Sequence, residues 1–169
     1  MKKGAGKTMS EDRIRRGFLE TPIGLLQVSE SRGAIIDVRF AGGRLRVVSN
    51  SSPELEKCLG QLREYFAGQR KSFHLNLEPN GTDFEKQVWS EVLKVPFGET
   101  SSYGAIASTL GREGAARAVG GANGKNPIVV IIPCHRVLGC GGDLVGYGGG
   151  LWRKKWLLGH EQPSLKLKN

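Results

Sequence analysis

The chain has no apolar run long enough to cross a membrane, and it contains few residues of the kinds that build covalent or metal frameworks. No stretch approaches the roughly 18 consecutive apolar residues of a spanning helix. The three cysteines, Cys58, Cys134 and Cys140, are an odd count, which argues against a disulfide framework and favours a reducing compartment. Residues 1–57 contain neither Cys nor His, and Cys134 and Cys140 are too far apart for a zinc-ribbon pair. We therefore expect no membrane attachment and no structural metal.

The sequence is also poor in acidic residues. It has 16 Asp and Glu against 25 Lys and Arg, which gives a formal net charge of +9 at pH 7. Residues 1–16 hold six basic and two acidic residues and lack the apolar core of a secretory signal. Residues 112–155 hold seven basic and two acidic residues. Charge alone leaves two alternatives open, a solvated surface and a face that binds nucleic-acid phosphates.

The patterning predicts a tail and two domains. Residues 1–16 are predicted to form a basic, disordered tail. Residues 17–79 have strand-like segments and then a helix that starts with Ser52 as cap and Pro53 at its first position, which predicts a small α/β domain. Residues 80–169 form the second, mostly helical domain.

The second domain begins with a capping box, Thr82 to Glu85, ahead of an amphipathic helix. Two short helices then follow, at about residues 103–110 and 115–122, joined by a turn that contains glycine. This pattern is typical of a helix-turn-helix, although ordinary helix pairs share it. The glycine-rich segment 138–147 predicts a hairpin or wing.

An apolar run of Ile and Val, residues 128–132, ends at Pro133. Its β-branched composition predicts a buried strand, which would stop at Pro133 because proline has no N–H to donate. Cys134 would then lie at the end of a rigid element, beside His135. A thiol is a good nucleophile only as the thiolate, and a nearby His can generate it. The alternative is a buried structural cysteine next to a surface histidine.

The second short helix is made of small residues and carries one cation, Arg117. A helix that recognises base sequence presents several Asn, Gln, Arg or Lys side chains. This helix is therefore not expected to discriminate between base sequences. It is either a helix packed closely into a core or a smooth helix that lies close to DNA in a narrow groove.

Together these segments resemble the O6-alkylguanine-DNA alkyltransferases, also called methylated-DNA–protein-cysteine methyltransferases. The similar segments lie within residues 82–161 in the family's order and spacing: Pro96-Phe97-Gly98-Glu99, Tyr103-Gly104-Ala105-Ile106-Ala107, Ala116-Arg117-Ala118-Val119-Gly120, Asn126-Pro127, Pro133-Cys134-His135-Arg136, Gly146-Tyr147 and Trp156-Leu157-Leu158-Gly159-His160-Glu161. Residues 1–79 resemble the family's variable N-terminal domain only loosely. The resemblance implies an α/β fold class: a ribonuclease-H-like α/β domain, then a mostly helical domain with a winged-helix-like DNA-binding motif.

The resemblance also implies an activity, which is direct and irreversible transfer of an alkyl group from O6-alkylguanine in duplex DNA to an internal cysteine. The base would be flipped out through the minor groove, and each protein molecule would act once, without a cofactor. The implied partner is double-stranded DNA, and the implied state is a monomer, with cooperative binding on DNA left open. The implied location is the cytoplasm, or the nucleus in a eukaryote. Two rival functions remain, a non-catalytic lesion binder or regulator with the same helix-turn-helix and an ordinary thiol hydrolase.

The resemblance assigns roles to individual residues. Cys134 is the nucleophile, His135 its base, Glu161 the carboxylate that orients the imidazole, and Tyr103 a hydrogen-bond donor to the departing guanine. The DNA-binding residues would be Ala116, Arg117, Ala118, Gly120, Asn123 and Arg136, with Arg117 filling the gap left by the flipped base. Asn126, Val137, Tyr147, Gly148 and Lys154 would line or support the pocket. Gly148, where relatives commonly have Ser, and Asn123 depart from the family's pattern, so the preferred alkyl size stays open.

Overall fold

The computed structural model describes residues 14–42 and 51–164. The N-terminal unit is a three-stranded antiparallel sheet, ordered β1 (Arg15–Thr21), β2 (Gly24–Ser31), β3 (Ala34–Phe40), with helix α1 (Pro53–Phe66) packed against it. A turn at residues 21–24 connects β1 to β2, and Gly24 makes it possible with a φ of 111°. Because β1 begins at Arg15, Arg15 and Arg16 belong to the sheet and not to a disordered tail. The rest of the predicted tail, residues 1–13, lies outside the described residues.

Helix α1 begins as the sequence predicts. The Ser52 side chain accepts a hydrogen bond from Leu55 N, and Pro53 occupies the first helical position. At the end of the buried face of α1, Tyr65 is fully buried and Phe66 only half-buried. A tyrosine near the end of this helix therefore points into the molecule.

The C-terminal unit contains four helices in the described residues. They are α2 (Asp83–Leu93), α3 (Tyr103–Thr109), α4 (Ala116–Gly124) and α5 (Leu151–Glu161). The predicted capping box at the start of α2 is confirmed, since Glu85 N donates to Thr82 Oγ1 and Thr82 N to Glu85 Oε2. Helices α3 and α4 pack against each other, and Trp89 Nε1 of α2 donates to Ala122 O of α4.

Residues 138–147 do not form the two-stranded hairpin that was one form of the prediction. Strand β5 (Val137–Leu138) pairs instead with β4 (Ser101–Ser102), in parallel. The chain then turns back on itself through a 3-10 turn at Cys140–Gly142 and a hydrogen bond from Gly139 N to Asp143 O. Gly141 and Gly142 have positive φ values of 70° and 89°, which produces a tight turn and not a two-stranded ladder.

One continuous hydrophobic core runs through both units. Val38 of β3 pairs with the C-terminal unit through two backbone hydrogen bonds: Val38 N donates to Pro127 O, and Val129 N donates to Val38 O. The sheet of the first unit therefore supports the segment that leads to Cys134. No helix within residues 14–42 and 51–164 is both long and apolar enough to cross a membrane.

Candidate active site

The segment before Cys134 is a buried turn and not the predicted strand. Ile128 forms one isolated bridge with Val38. The chain then reverses, and Ile132 N donates to Ile128 O. Val130 has a φ of 72°, a left-handed conformation that a β-branched residue adopts only where its surroundings impose it. The prediction failed because an apolar run reports burial, and a buried turn with its own hydrogen bonds is as apolar as a buried strand.

Asn126 holds this turn together and also binds the thiol. Its Oδ1 accepts from Ile128 N at 2.9 Å, and its Nδ2 donates to Ile132 O at 2.8 Å. The same Nδ2 lies 3.1 Å from Cys134 Sγ. The buried side-chain amide therefore satisfies backbone groups that a strand would have paired in a ladder.

Cys134 opens a 3-10 turn, Cys134–Arg136, and its side chain is 4 % exposed. Burial raises the pKa of the Cys134 thiol to about 11, against the opposing effects of the Asn126 hydrogen bond and the Lys154 charge. The thiol is therefore neutral at physiological pH, and it could act as a nucleophile only if a base took its proton.

The His135 imidazole is held from one side by Glu161. Its Nε2 lies 2.8 Å from Glu161 Oε1, and both side chains are buried. Burial lowers the pKa of His135, so the imidazole is neutral at rest. Among the described residues, His135 Nδ1 has no hydrogen-bond partner. With Glu161 accepting from Nε2–H, Nδ1 is the nitrogen that can take a proton.

Glu161 collects donors from three parts of the chain. Arg136 binds it with Nε at 2.7 Å from Oε2 and NH2 at 2.9 Å from Oε1, and Gly98 N donates to Oε2 at 3.3 Å. Tyr65 OH donates to Oε1 at 2.7 Å. Although burial opposes ionisation, the bonds from His135 and Arg136 hold the pKa of Glu161 well below its ordinary value. The carboxylate is therefore charged throughout the neutral range.

Two of the predicted DNA-binding residues point inward. The Arg136 side chain is committed to Glu161 and to Val95 O at 2.7 Å, so it orders the site and does not face DNA. Asn123 is 2 % exposed, and its Nδ2 donates to Cys134 O at 3.2 Å. Both side chains are therefore buried and hydrogen-bonded to groups inside the protein, which does not favour direct contact of either with DNA.

The other predicted DNA-binding residues are on or near the surface of α4. Arg117 and Ala118 are exposed, while Ala116 and Gly120 are half-buried. Arg117 makes no hydrogen bond or ion pair with any described residue, and Gly121 next to this face is also exposed. The outer surface of α4 is therefore smooth, with one available cation.

Tyr103 and Lys154 both anchor the loop that runs beside the thiol. Tyr103 OH donates to Val145 O at 3.2 Å, and Lys154 Nζ donates to Val137 O and Val145 O, each at 2.7 Å. The Lys154 side chain is fully buried, and burial lowers its pKa to about 8. Lys154 thus supports the pocket wall through the carbonyl of Val137 and does not contact solvent.

Tyr147 and Gly148 form the other side of this loop. The Tyr147 OH is buried and has no partner among the described residues, and burial raises its pKa well above the ordinary value. Gly148 is exposed, and a Cβ added there would lie 3.5 Å from Gly124 O at the end of α4. The loop and the end of α4 therefore come close together next to the site.

Sequence reasoning missed two contributors to the site. Tyr65 belongs to the N-terminal unit, and nothing in its local pattern distinguishes it from a core aromatic residue. Gly98 was part of a recognised motif, but only its positive φ of 78° and its bond to Glu161 show its role. No group of three or more His, Cys, Asp or Glu within residues 14–42 and 51–164 is arranged to hold a metal ion.

Comparison with known proteins places this geometry in context. A family model described as "6-O-methylguanine DNA methyltransferase, ribonuclease-like domain" matches residues 14–79, and one described as "6-O-methylguanine DNA methyltransferase, DNA binding domain" matches residues 83–163. A Mycobacterium tuberculosis protein named methylated-DNA–protein-cysteine methyltransferase is 56 % identical over 101 residues, which is 60 % of this chain and 61 % of the relative's length. A Methanosarcina acetivorans protein of the same name is 44 % identical over 83 % of this chain and 94 % of its own.

Solved structures agree with the sequence relatives. The crystal structure of Mycobacterium tuberculosis O6-methylguanine methyltransferase superposes with a TM-score of 0.78 and 38 % identity, covering 92 % of this chain and 97 % of that one. The complex of Mycobacterium tuberculosis OGT with DNA also has a TM-score of 0.78, with 44 % identity over 86 % of this chain and 91 % of that one.

Proposed function

Because the chain belongs to the 6-O-methylguanine DNA methyltransferase family, we propose that it repairs DNA directly, by moving an alkyl group from O6 of guanine to Cys134. The observation that carries this assignment is a neutral, buried thiol held by Asn126, adjacent in one turn to the His135–Glu161 pair. A thiol in this setting is inert until a base and an electrophile act on it together. This suits a single-use protein that must not be consumed by other alkylating agents.

The transfer is a single displacement. Cys134 Sγ attacks the alkyl carbon, the S–C bond forms, and the C–O6 bond breaks with its electron pair going to the guanine. The thiol proton passes to His135 Nδ1 through an intervening water molecule, and Glu161 stabilises the imidazolium. Tyr103 OH, which bonds Val145 O in the described structure, turns its donor to the guanine as negative charge develops there.

The pocket recognises the flipped base through a main-chain carbonyl as well as Tyr103. Cys134 O and Val137 O each accept hydrogen bonds already, from Asn123 Nδ2 and Lys154 Nζ. A carbonyl oxygen has two lone pairs. Because Cys134 O also accepts from Val137 N, the carbonyl with a lone pair left for the guanine amino group is that of Val137. In this arrangement Asn123 and Lys154 fix the two carbonyls in position, and Tyr147 and Gly148 border the base.

DNA binds across α4. Its exposed small residues let the helix approach a groove closely without reading base sequence, which suits a protein whose lesion occurs in any sequence. Arg117 occupies the space of the extruded base, and flipping costs a few kcal/mol, part of which a stacked guanidinium offsets. The partner is double-stranded DNA, and the lesion it contains is O6-alkylguanine.

The reaction is stoichiometric and needs no second subunit. The product is a thioether, which is a poor leaving group, so each molecule is consumed in one turnover. One chain carries the nucleophile, the base, the orienting carboxylate and the DNA face, so the active species is a monomer. All three cysteines are free, and a location in a reducing compartment suits a thiol reagent.

The test uses the intact protein and a duplex that contains a single O6-methylguanine. The mass of the protein should rise by one methyl group in place of one hydrogen, on Cys134, with one duplex repaired per molecule. Cys134→Ser should bind the same duplex without a mass change. If the wild type binds the lesion but never gains mass, it is instead a lesion binder or regulator; if it turns over repeatedly, it is a thiol hydrolase.

A further inference from the structure

We propose that Tyr65, which belongs to α1 of the N-terminal unit, positions the Glu161–His135 pair for alkyl transfer. The sheet domain would then be part of the active site and not only a neighbour of it. This proposal rests on the proposed function, because it assigns a positioning residue to the same reaction.

The contact is direct and buried. Tyr65 OH donates to Glu161 Oε1 at 2.7 Å, and His135 Nε2 lies 2.8 Å from that same oxygen. Tyr65 is 0 % exposed and Glu161 is 7 % exposed. The N-terminal unit and the base therefore share one carboxylate oxygen, with no solvent to substitute for either of them.

The surroundings of Tyr65 keep its hydroxyl in place. Its ring packs edge-on against Phe66 and Phe97, and at 40° to Phe73. His160, next to Glu161 on α5, bonds the backbone carbonyl of Tyr65 at 2.8 Å. A ring held on several sides has little rotational freedom, so the donor can restrain the carboxylate it touches.

The Tyr65 hydrogen bond acts on the Glu161 carboxylate, which has several other hydrogen-bond partners. Arg136 Nε and Gly98 N bind Oε2, while Arg136 NH2 shares Oε1 with Tyr65 OH and His135 Nε2. Burial raises the pKa of Tyr65 well above its ordinary value, so the phenol stays protonated and can only donate to the carboxylate. The other titratable or charged groups that act on the pair or on Tyr65 are Arg136, Tyr147, Lys154 and His160.

A bond to the charged carboxylate lowers its basicity. Without the Tyr65 hydroxyl, Oε1 would attract the imidazole proton more strongly, which raises the pKa of His135 and keeps it protonated to higher pH. A protonated His135 cannot take the Cys134 proton. A tyrosine that only filled the core would leave the protonation of His135 unchanged, so the pH profile distinguishes the two roles.

The experiment measures single-turnover alkyl transfer from a free O6-alkylated guanine base, across pH, for wild type and Tyr65→Phe. We expect the rate constant to fall by about fivefold or more near neutrality, as for the loss of one hydrogen bond to a charged group. We expect the acid limb of the profile to move to higher pH by about half a unit. The matched control is Gln61→Leu, one turn earlier on α1, which removes two partly buried hydrogen bonds with the backbone of His74 and none with the site. Its profile should match the wild type.

Incorporation of 3-fluorotyrosine at position 65 gives a second, independent test that keeps the ring and the hydroxyl. A more acidic phenol donates more strongly, so the acid limb should move to lower pH, opposite to the effect of phenylalanine. If both variants retain the wild-type profile, or if Tyr65→Phe loses activity only in proportion to Gln61→Leu, Tyr65 is a core residue. If the wild type itself transfers no alkyl group, the proposed function fails instead.

Discussion

Asn126 Nδ2 lies 3.1 Å from Cys134 Sγ and 2.8 Å from Ile132 O, so one amide group binds both the thiol and the buried turn that precedes it. The hydrogen bond to sulfur favours the thiolate, but burial dominates and raises the pKa of Cys134 to about 11. The protein therefore holds the Cys134 thiol in an unreactive form. In the proposed reaction, activation comes from the bound substrate and from His135.

This restraint predicts an unusual order of thiol reactivity. Iodoacetamide at neutral pH should label exposed Cys140 first and Cys134 slowly, because the reagent needs an accessible thiolate. A free O6-benzylated guanine should reverse the order and modify Cys134 alone. Peptide mass mapping after timed quenching measures both, and labelling in urea, where all three cysteines react, is the control. Preferential iodoacetamide labelling of Cys134 would indicate a thiolate at rest.

Arg117→Ala should slow repair of duplex DNA by about tenfold or more, since a flipped base leaves a gap that costs a few kcal/mol to maintain. The same variant should react with a free alkylated base at the wild-type rate, because nothing has to be extruded. Arg112→Ala is the matched control. It removes an equal charge from the exposed turn before α4, where Arg112 packs over Phe84, and it should weaken duplex repair only modestly. Equal slowing of Arg117→Ala on both substrates would make Arg117 a structural residue.

Glu161→Gln should destabilise the fold by about 3–5 kcal/mol, because it leaves the Arg136 charge buried without its partner. The pKa of Glu161 is lowered in the folded state. Its contribution is therefore fully present above the ordinary value of 4.5 and is lost as the pH falls through the lower folded-state pKa. Urea unfolding should show a constant difference between wild type and variant above about pH 5.5 and a shrinking one in more acidic solution.

Glu91→Gln provides the comparison for this prediction. Glu91 pairs with the exposed Lys94 on the same helix turn, and such surface pairs are worth less than about 1 kcal/mol. A loss in Glu161→Gln no larger than in Glu91→Gln would show that the buried cluster adds nothing to stability.

Alkylation of Cys134 should lower the stability of the protein. The thiol lies in a closely packed turn, and extra carbon in such a site typically costs about 1–3 kcal/mol. A benzyl group should lower the thermal midpoint more than a methyl group. Protein modified only on exposed Cys140 should melt like the unmodified form. A midpoint unchanged or raised in both Cys134 adducts would mean that the pocket is roomier than the packing around Asn126 indicates.

Features that depend on neighbours in the sequence could be read from it directly. The caps of α1 and α2, the exposed Arg117 on a smooth helix and the adjacency of Cys134 and His135 all follow from residues within a few positions of one another. The order of short motifs along residues 82–161 was enough to indicate the family, because motif spacing is itself a property of the sequence.

Other features depended on partners that are distant in the chain. Whether residues 128–132 form a strand or a turn was decided by Asn126 and by the single bridge to Val38, since an apolar run satisfies either arrangement. From its sequence position Arg136 could have bound a DNA phosphate, but in the fold it binds the buried carboxylate of Glu161, 25 residues further along the chain. Tyr65, in the N-terminal unit and 96 residues away in the chain, donates a hydrogen bond to the same carboxylate. Local patterns determine which elements form and which chemistry they carry, and only the folded packing determines which charged and polar groups meet, because buried groups must be paired with whatever the fold places beside them.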